Sequence, residues 1–507
     1  MNQALALEIM LEGHSVLLTG QAGSGKTYVL NEFIKLAKRE GKVVAVTATT
    51  GLAATHLGGN TIHAWAGIGV HDELPKSFYK DMPKGRKDMV EKTDILVIDE
   101  ISMLHDFRLD LVDEVARKIR KSDKPFGGLQ VILCGDFFQL PPVNRRDSRE
   151  GGFVVHSKAW HAAQLKICYL QEQHRQDDDT FLEILTAMRA GDIRRRHAES
   201  LLERVGAAPP GNQPLTELHT TNIDVEGINT KALQNLDGDA VSYHMQTTGS
   251  ENYVATLKRS CLALEELVLK KGALVMCIKN SPDKKFVNGS LGIVTKFDDD
   301  THYPIVELRS GRSIVMTPES WELRDGDKKR ASLTQIPLRL AWAITIHKSQ
   351  GMTLDAARID LRRAFVEGMG YVALSRVKRL DALTLLGINQ MALKVSPDAL
   401  AIDQHLQEES AKAAEDFAHL TKKAADRAKE PPKKASGKAP WNERLEDMRK
   451  THPNAFKPWK QEDDTALLAS FKKGDGLKKM TALLGRQPGS ITARLKKHLG
   501  EDITIPG

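Results

Sequence analysis

The sequence has 507 residues, more than one hydrophobic core sustains, so several domains are expected. Charged residues make up 27% and hydrophobic ones 41%, an ordinary balance for a water-soluble chain. No apolar run approaches the roughly 20 residues that cross a bilayer, so no membrane partner is expected. The net charge of +7 is uneven: residues 421–507 hold 20 Lys and Arg against 11 Asp and Glu, and the rest hold 53 against 55. The basic excess therefore lies in the tail, which reads either as a solvated linker or as a tether for a polyanion. Cys134, Cys168, Cys261 and Cys277 form no CxxC pair, which argues against a disulfide framework or a cysteine zinc site and suits a reducing compartment. Patterned sequence starts almost at once, so no targeting peptide is expected.

In chain order, SVLLTGQAGSGKT (15–27) is an apolar strand, a glycine-rich turn and Lys26-Thr27, followed by the helical stretch YVLNEFIKLAKRE. In that context GxxxxGKT is a phosphate loop. Gly20, Gly23 and Gly25 let backbone N–H groups face phosphates, Lys26 reaches the β and γ oxygens, and the Thr27 hydroxyl binds Mg²⁺. Gln3, seventeen positions before Gly20, is a candidate clamp for an adenine edge. A second strand, DILVIDE (94–100), ends in two carboxylates: Asp99 for the Mg²⁺ shell and Glu100 to polarise the attacking water. Together these motifs predict hydrolysis of ATP, with Mg²⁺, on a parallel α/β sheet. Between them, VVAVTATTGLAATHLGGNTIHAWAGIG (43–69) offers small hydroxyls and an imidazole suited to phosphodiesters. The apolar run LQVILC predicts a buried strand leading into GDFFQLPPV (135–143), and LAWAITIHKSQGMTLD (340–355) and YVALSRV (371–377) lie further on.

These stretches, above all DKPFGGLQVILCGDFFQLPPV, resemble the petite-integration-frequency (Pif) family of superfamily-one DNA helicases, in the family's order from about Gln3 to Leu406, roughly four-fifths of the chain. The resemblance implies a 5′-to-3′ translocating, ATP-driven helicase with two RecA-like parallel-sheet domains flanking ATP. It acts on single-stranded DNA and duplex or fork DNA, as a monomer. Gln139 is then expected to sense the γ-phosphate or its water and Asp136 to hold the local network. Phe137, Phe138, Pro141 and Pro142 form a stiff connector toward the DNA surface, or core in the case of at least one Phe. LQEQHRQDD resembles the family's next motif and puts Arg175 on the phosphates. Arg376 in ALSRV resembles the finger delivered across the cleft, and Gln350 in HKSQG also watches the γ-phosphate. DNA contacts are expected from Thr50 and His63 in the first domain and from Asn222, Thr345, His347 and Ser349 in the second.

The domains are then 1–175, with a wedge-like insertion at about 71–92 whose Phe78 or Tyr79 is a stacking tip or a packed aromatic, and 176–408, with a small β-barrel inserted at about 271–330 around an Asn288-Gly289 turn. A charged helix and flexible linker (409–455) lead to an all-α module (456–507) with apolar residues at helical spacing, from Leu467 to Leu495. It resembles a helix-turn-helix unit presenting Arg494, Lys496 and Lys497 to DNA, with a protein-docking bundle as the other reading. Two rivals to the helicase stand: a RecD-like subunit of a recombination complex, and an ATP-gated DNA-binding regulator. The expected location is a bacterial or phage-host cytoplasm.

Overall fold

The computed structural model describes the chain except residues 70, 145–148, 173–177, 209–214, 222–224, 282, 284, 287, 326–327, 430–448, 455–458, 460 and 500–507. The first domain is a six-stranded parallel sheet: β1 (Val16–Gly20), β2 (Val44–Ala48), β3 (Asn60–Thr61), β4 (Ile95–Asp99), β5 (Gln130–Cys134) and β6 (Lys166–Leu170), in the spatial order β3-β2-β4-β5-β1-β6. These strands are almost wholly apolar because both faces are covered; all five residues of β1 are buried. The helix Lys26–Arg39 covers one face with Val29, Leu30, Phe33, Ile34 and Ala37. With β1 between β5 and β6, and β4 beside β5, the phosphate loop, Asp99-Glu100 and the GDFFQ segment all leave from the same edge of the sheet.

The second domain is built on a four-stranded parallel sheet. β7 (Thr216–His219) pairs with Ala343–Thr345 and Ala357–Leu361, and Leu383–Ile388 completes the edge. The β-rich insertion is longer than expected. Its strands begin at Val241 and end at Leu340, and they form three separate antiparallel sheets of two, three and five strands rather than one barrel within 271–330. The insertion at 71–92 folds as two short helices, Phe78–Asp81 and Lys84–Lys92. Phe78 is buried in the core and is not a tip, while Tyr79 packs beside it and donates its hydroxyl to Glu114 at 3.0 Å.

The boundary expected at 408 falls inside one helix, Pro397–Asp416. Ser396 caps it, Pro397 starts it, and Ala399, Ile402, Leu406, Ser410 and Ala413 form its buried stripe. That stripe lies on β6, so the chain returns to the first domain: the Tyr169 amide donates to Ser410 Oγ at 3.0 Å and the Tyr169 hydroxyl to Asp403 at 2.9 Å. Phe417 and Leu420 then enter the core of Leu5, Ile9 and Phe33. The helix Thr421–Lys429 sets Lys423, at 3.0 Å, and Arg427 against the fully buried Glu8. Residues 409–429 of the charged helix and linker expected over 409–455 are thus largely helical and packed on the first domain, and residues 430–448 of that stretch lie outside the described residues. Arg427→Ala leaves Glu8 with the half-exposed Lys423 alone, an expected loss of about 1–2 kcal/mol. It should appear as faster limited proteolysis within 421–429; an unchanged rate would mean that Phe417 and Leu420 hold the segment by themselves.

The C-terminal module has the three expected helices, Gln461–Lys472, Leu477–Leu484 and Pro488–Leu499. Leu467, Met480, Leu484, Ile491 and Leu495 form its core, and Gly485 ends the second helix at φ +59°.

Candidate nucleotide site and DNA-facing surface

The phosphate loop takes its shape from glycine. Gly20 has φ +141°, and a Cβ there would stand 2.5 Å from the Leu170 carbonyl on β6. Gly25, at φ +86°, caps the following helix with its Cα against the Gln3 side chain, whose Nε2 donates to Ser24 O at 3.1 Å. Gly23 also has positive φ. Gln3 therefore touches the loop itself. Lys26 Nζ lies over the loop and donates to Gly20 O at 2.8 Å and Gln21 O at 2.9 Å. Burial lowers its pKa, and Asp136 works against that shift. Thr27 is exposed at the start of the helix.

Asp99 closes β4 and accepts the Glu100 amide at 2.9 Å; burial raises its pKa. Glu100 is held at φ +54°, a conformation a non-glycine residue adopts only when its surroundings impose it. Those surroundings include Thr49, whose hydroxyl donates to Glu100 O at 2.8 Å. Burial and the adjacent Asp99 carboxylate raise Glu100 to about 7, against the pull of Arg376 and Lys26. A carboxylate poised near neutrality beside a phosphate loop suits proton transfer from water.

Gln139, in the segment after β5, and Gln350, beside the Ser349 carbonyl that accepts from Arg376, are both buried. Gln139 Oε1 and Gln350 Nε2 have no hydrogen-bond partner among the described residues. A buried acceptor and a buried donor left unpaired fit a water molecule and an anionic oxygen respectively. Arg376 is 1% exposed. Its Nε donates to Val372 O at 2.8 Å and its terminal nitrogens to Ser375 Oγ at 2.8 Å and Ser349 O at 3.4 Å, which fixes the guanidinium within electrostatic reach of Glu100. Phe137 and Phe138 are both core. Phe138 packs on Tyr371 of the second domain, so this part of the segment reaches the facing domain. Arg175 lies outside the described residues.

Arg189 is the residue that sequence reasoning missed. It ends the helix Asp179–Arg189, is 5% exposed, and pairs with Asp136 at 2.7 Å and Asp403 at 3.1 Å. A signal was present: Phe181, Ile184, Leu185 and Met188 make one apolar face, and Arg189 lies on its border, where a charge needs a buried partner.

The expected DNA contacts divide. Thr50 Oγ1 accepts from Ala53 N at 3.2 Å, capping a short helix. The His63 ring lies 3.2 Å from Arg108, and burial together with Arg108 lowers its pKa to about 4, so it is neutral. His347 and Lys348 are partly exposed, with pKa values lowered by burial. Thr345 and Ser349 are corrections: both are buried, Thr345 Oγ1 accepts from Lys348 N at 3.3 Å, and Ser349 Oγ donates to Ile346 O at 2.7 Å. Their hydroxyls hold the turn instead of facing a track. Arg494 is another, its guanidinium forked onto Asp464 at 2.6 and 2.7 Å and 5.2 Å from the Trp459 ring centroid. Asn222 lies outside the described residues, as do the side chains of Lys496 and Lys497.

A phosphate loop, a strand-end Asp-Glu pair and an arginine from a second parallel-sheet domain define a two-domain phosphate-loop NTPase of the helicase type. Residues 1–199 match the PIF1-like helicase family, and residues 252–297 match the 2B domain of DNA helicase Pif1. The ATP-dependent DNA helicase Pif1 of Psychrobacter sp. (strain PRwf-1) is 40% identical over 490 residues, 85% of this chain and 74% of that protein. The Xenopus laevis ATP-dependent DNA helicase PIF1 is 37% identical, and the match spans 81% of this chain and 64% of that one. Bacteroides sp Pif1 in complex with ADP-AlF4 superposes with a TM-score of 0.70 at 30% identity, over 81% of this chain and 97% of that one. Bacteroides Pif1 bound to ssDNA (30% identical, over 81% of this chain and 97% of that one) gives a TM-score of 0.56. So does a structure of two coordinating Pif1 helicases at forked dsDNA (31% identical, over 82% and 98%). The chain belongs to the PIF1-like helicases, ATP-dependent DNA helicases.

Proposed function

We propose that this chain couples ATP hydrolysis to 5′-to-3′ movement along single-stranded DNA and unwinds the duplex it meets. The observation that carries this reading is the meeting, within one chain, of the phosphate loop and Glu100 on the first domain with Tyr371 and Arg376 on the second. Because one copy supplies both halves of the site, a monomer suffices for hydrolysis.

Loop amides and Lys26 bind the β and γ phosphates, and Gln3 borders the loop where the base would lie. Glu100 takes a proton from the attacking water, which Gln139 Oε1 orients. Arg376 and Gln350 Nε2 meet the charge that develops on the γ-phosphoryl oxygens. Among the described residues no cluster of three or more His, Cys, Asp or Glu side chains is arranged to hold a metal. The Thr27 hydroxyl and Asp99 carboxylate, two hard oxygen donors at the phosphate loop, would hold Mg²⁺. When bound, that ion neutralises charge on the phosphates. On the DNA side, Thr50 and His63 in one domain and His347 and Lys348 in the other are the proposed contacts. A neutral His63 and small polar groups suit a grip that is remade at each cycle. The basic C-terminal module is proposed as a duplex-DNA tether that acts through residues other than Arg494. The four cysteines are free thiols, in keeping with a reducing compartment such as a bacterial cytoplasm. Among the described residues no helix is long and apolar enough to cross a membrane.

The test is fluorescence unwinding of a partial duplex bearing a 5′ or a 3′ single-stranded tail, with and without ATP. ATP-dependent unwinding from the 5′ tail alone is expected. Unwinding from the 3′ tail alone reverses the polarity, and unwinding from neither tail leaves the ATP-gated switch as the better reading.

A further inference from the structure

Arg189 joins three parts of the chain. One terminal nitrogen donates to Asp136 Oδ1 at 2.7 Å and to the Tyr371 hydroxyl at 3.2 Å. The other donates to the Tyr169 hydroxyl at 2.9 Å and to Asp403 Oδ1 at 3.1 Å. Its guanidinium plane lies 4.1 Å from the Phe138 ring centroid. Asp136 and Phe138 belong to the sensor segment after β5, Tyr371 to the helix Met369–Leu374 of the second domain, and Asp403 to the helix that returns from the second domain to β6. The Tyr371 hydroxyl also accepts the Ala22 amide at 3.1 Å, so it reaches into the phosphate loop from the opposite domain. Tyr371 is 2% exposed and its helix leads directly into Arg376.

We infer that Arg189 is a positioning residue for ATP hydrolysis: it holds the Tyr371 hydroxyl on the phosphate-loop amide of Ala22, and through Asp403 it makes domain closure answer to the C-terminal arm. This rests on the reading of the chain as a DNA-stimulated ATPase. Three separate segments and two phenols are served by two nitrogens held in one rigid plane, an arrangement that a lysine's single Nζ cannot copy. Asp136 is fully buried, so its charge depends on this partner. Tyr371 bonds the loop only where the two domains meet, so its hydroxyl registers closure one helical turn and a half before Arg376.

The test uses the full chain and compares wild type, Tyr371→Phe, Arg189→Lys and Asp403→Asn in ssDNA-saturated ATPase, with KM for ATP and the melting temperature measured alongside. Tyr371→Phe keeps the ring packing and removes only the hydroxyl. Its kcat is expected to fall about tenfold, the weight of one buried hydrogen bond realised on closure, with KM for ATP within twofold and the melting temperature close to wild type. Arg189→Lys is expected to lose at least as much despite keeping the charge, and Asp403→Asn to lose severalfold. A Tyr371→Phe protein with wild-type kcat overturns the inference. So does a kcat loss that merely follows a lowered melting temperature, or full rescue by Arg189→Lys, which would leave only a charge requirement. If wild type shows no stimulation by ssDNA, the helicase reading itself fails, and that outcome is distinct from stimulation shared equally by wild type and Tyr371→Phe.

Discussion

In the Arg376→Ala protein, ssDNA-stimulated ATP turnover is expected to fall by about 10³–10⁵, with nucleotide binding largely kept, because an arginine brought to the transferring phosphoryl group acts mainly in the transition state. At about 1.4 kcal/mol per tenfold this is roughly 4–7 kcal/mol of barrier, far more than the side chain contributes to folding. The folding part is still real. The guanidinium is 1% exposed and donates to the Val372 and Ser349 carbonyls, which keep the Ser375 hydroxyl and the Met352 amide as partners when it is removed, so truncation costs mainly these bonds and their packing, about 1–3 kcal/mol. Arg376→Lys separates the two effects. It retains the charge but loses the fork that bonds Val372 O, Ser375 Oγ and Ser349 O together, and it should recover only a small part of the rate. The measurement is single-turnover ATPase at saturating ssDNA, with a fluorescent-nucleotide titration for binding. Turnover within tenfold of wild type in the alanine variant would remove Arg376 from the transition state.

The parts of this site that the sequence made legible are those governed by local chemistry. VLLTG, ILVID and QVILC are five-residue, mostly apolar runs that end in or lead into functional letters, and each is a strand. The order β3-β2-β4-β5-β1-β6 was not legible, since pairing between strands far apart in sequence leaves no local mark. A charged helix is legible after 408, but not its continuity from Pro397 to Asp416 or its packing, because its buried stripe is mostly small (Ala399, Ser410, Ala413) and its many Gln, Glu and Asp residues dominate the composition. Residue type does not by itself place Thr345 and Ser349 on a phosphate track. A short hydroxyl side chain reaches its own backbone as easily as a ligand, and here it does so. Phe78, which the sequence leaves open as a stacking tip or a packed aromatic, packs inward although it stands in a charged insertion. Arg189 needed both ends of its ion pairs to be seen, and its partners lie 53 and 214 positions away.

Gly368→Ala is expected to lower ssDNA-stimulated kcat about a hundredfold without touching ATP or DNA. Gly368 precedes the helix that carries Tyr371 and leads to Arg376, at φ +79°. An alanine Cβ there would stand 2.7 Å from the Phe138 carbonyl oxygen and 3.2 Å from that of Gln139, both backbone atoms of the sensor segment on the facing domain. Backbone atoms cannot rotate aside as a flexible side chain does, so the strain is relieved by backing the second-domain helix away from the first. A retreat of about 1 Å at reacting groups costs on the order of 10² in rate. The left-handed φ adds about 1–2 kcal/mol of its own, and Gly41→Ala isolates that part, since Gly41 has φ +81° and open space around its Cα. The comparison is kcat and ssDNA affinity for both variants. The Gly41 variant is expected to turn over like wild type, and the Gly368 variant to bind ssDNA normally while hydrolysing ATP slowly. If Gly368→Ala instead keeps kcat within threefold, the two domains do not need this close approach to hydrolyse ATP, and the contact between the sensor segment and the Tyr371 helix would lie outside the catalytic cycle.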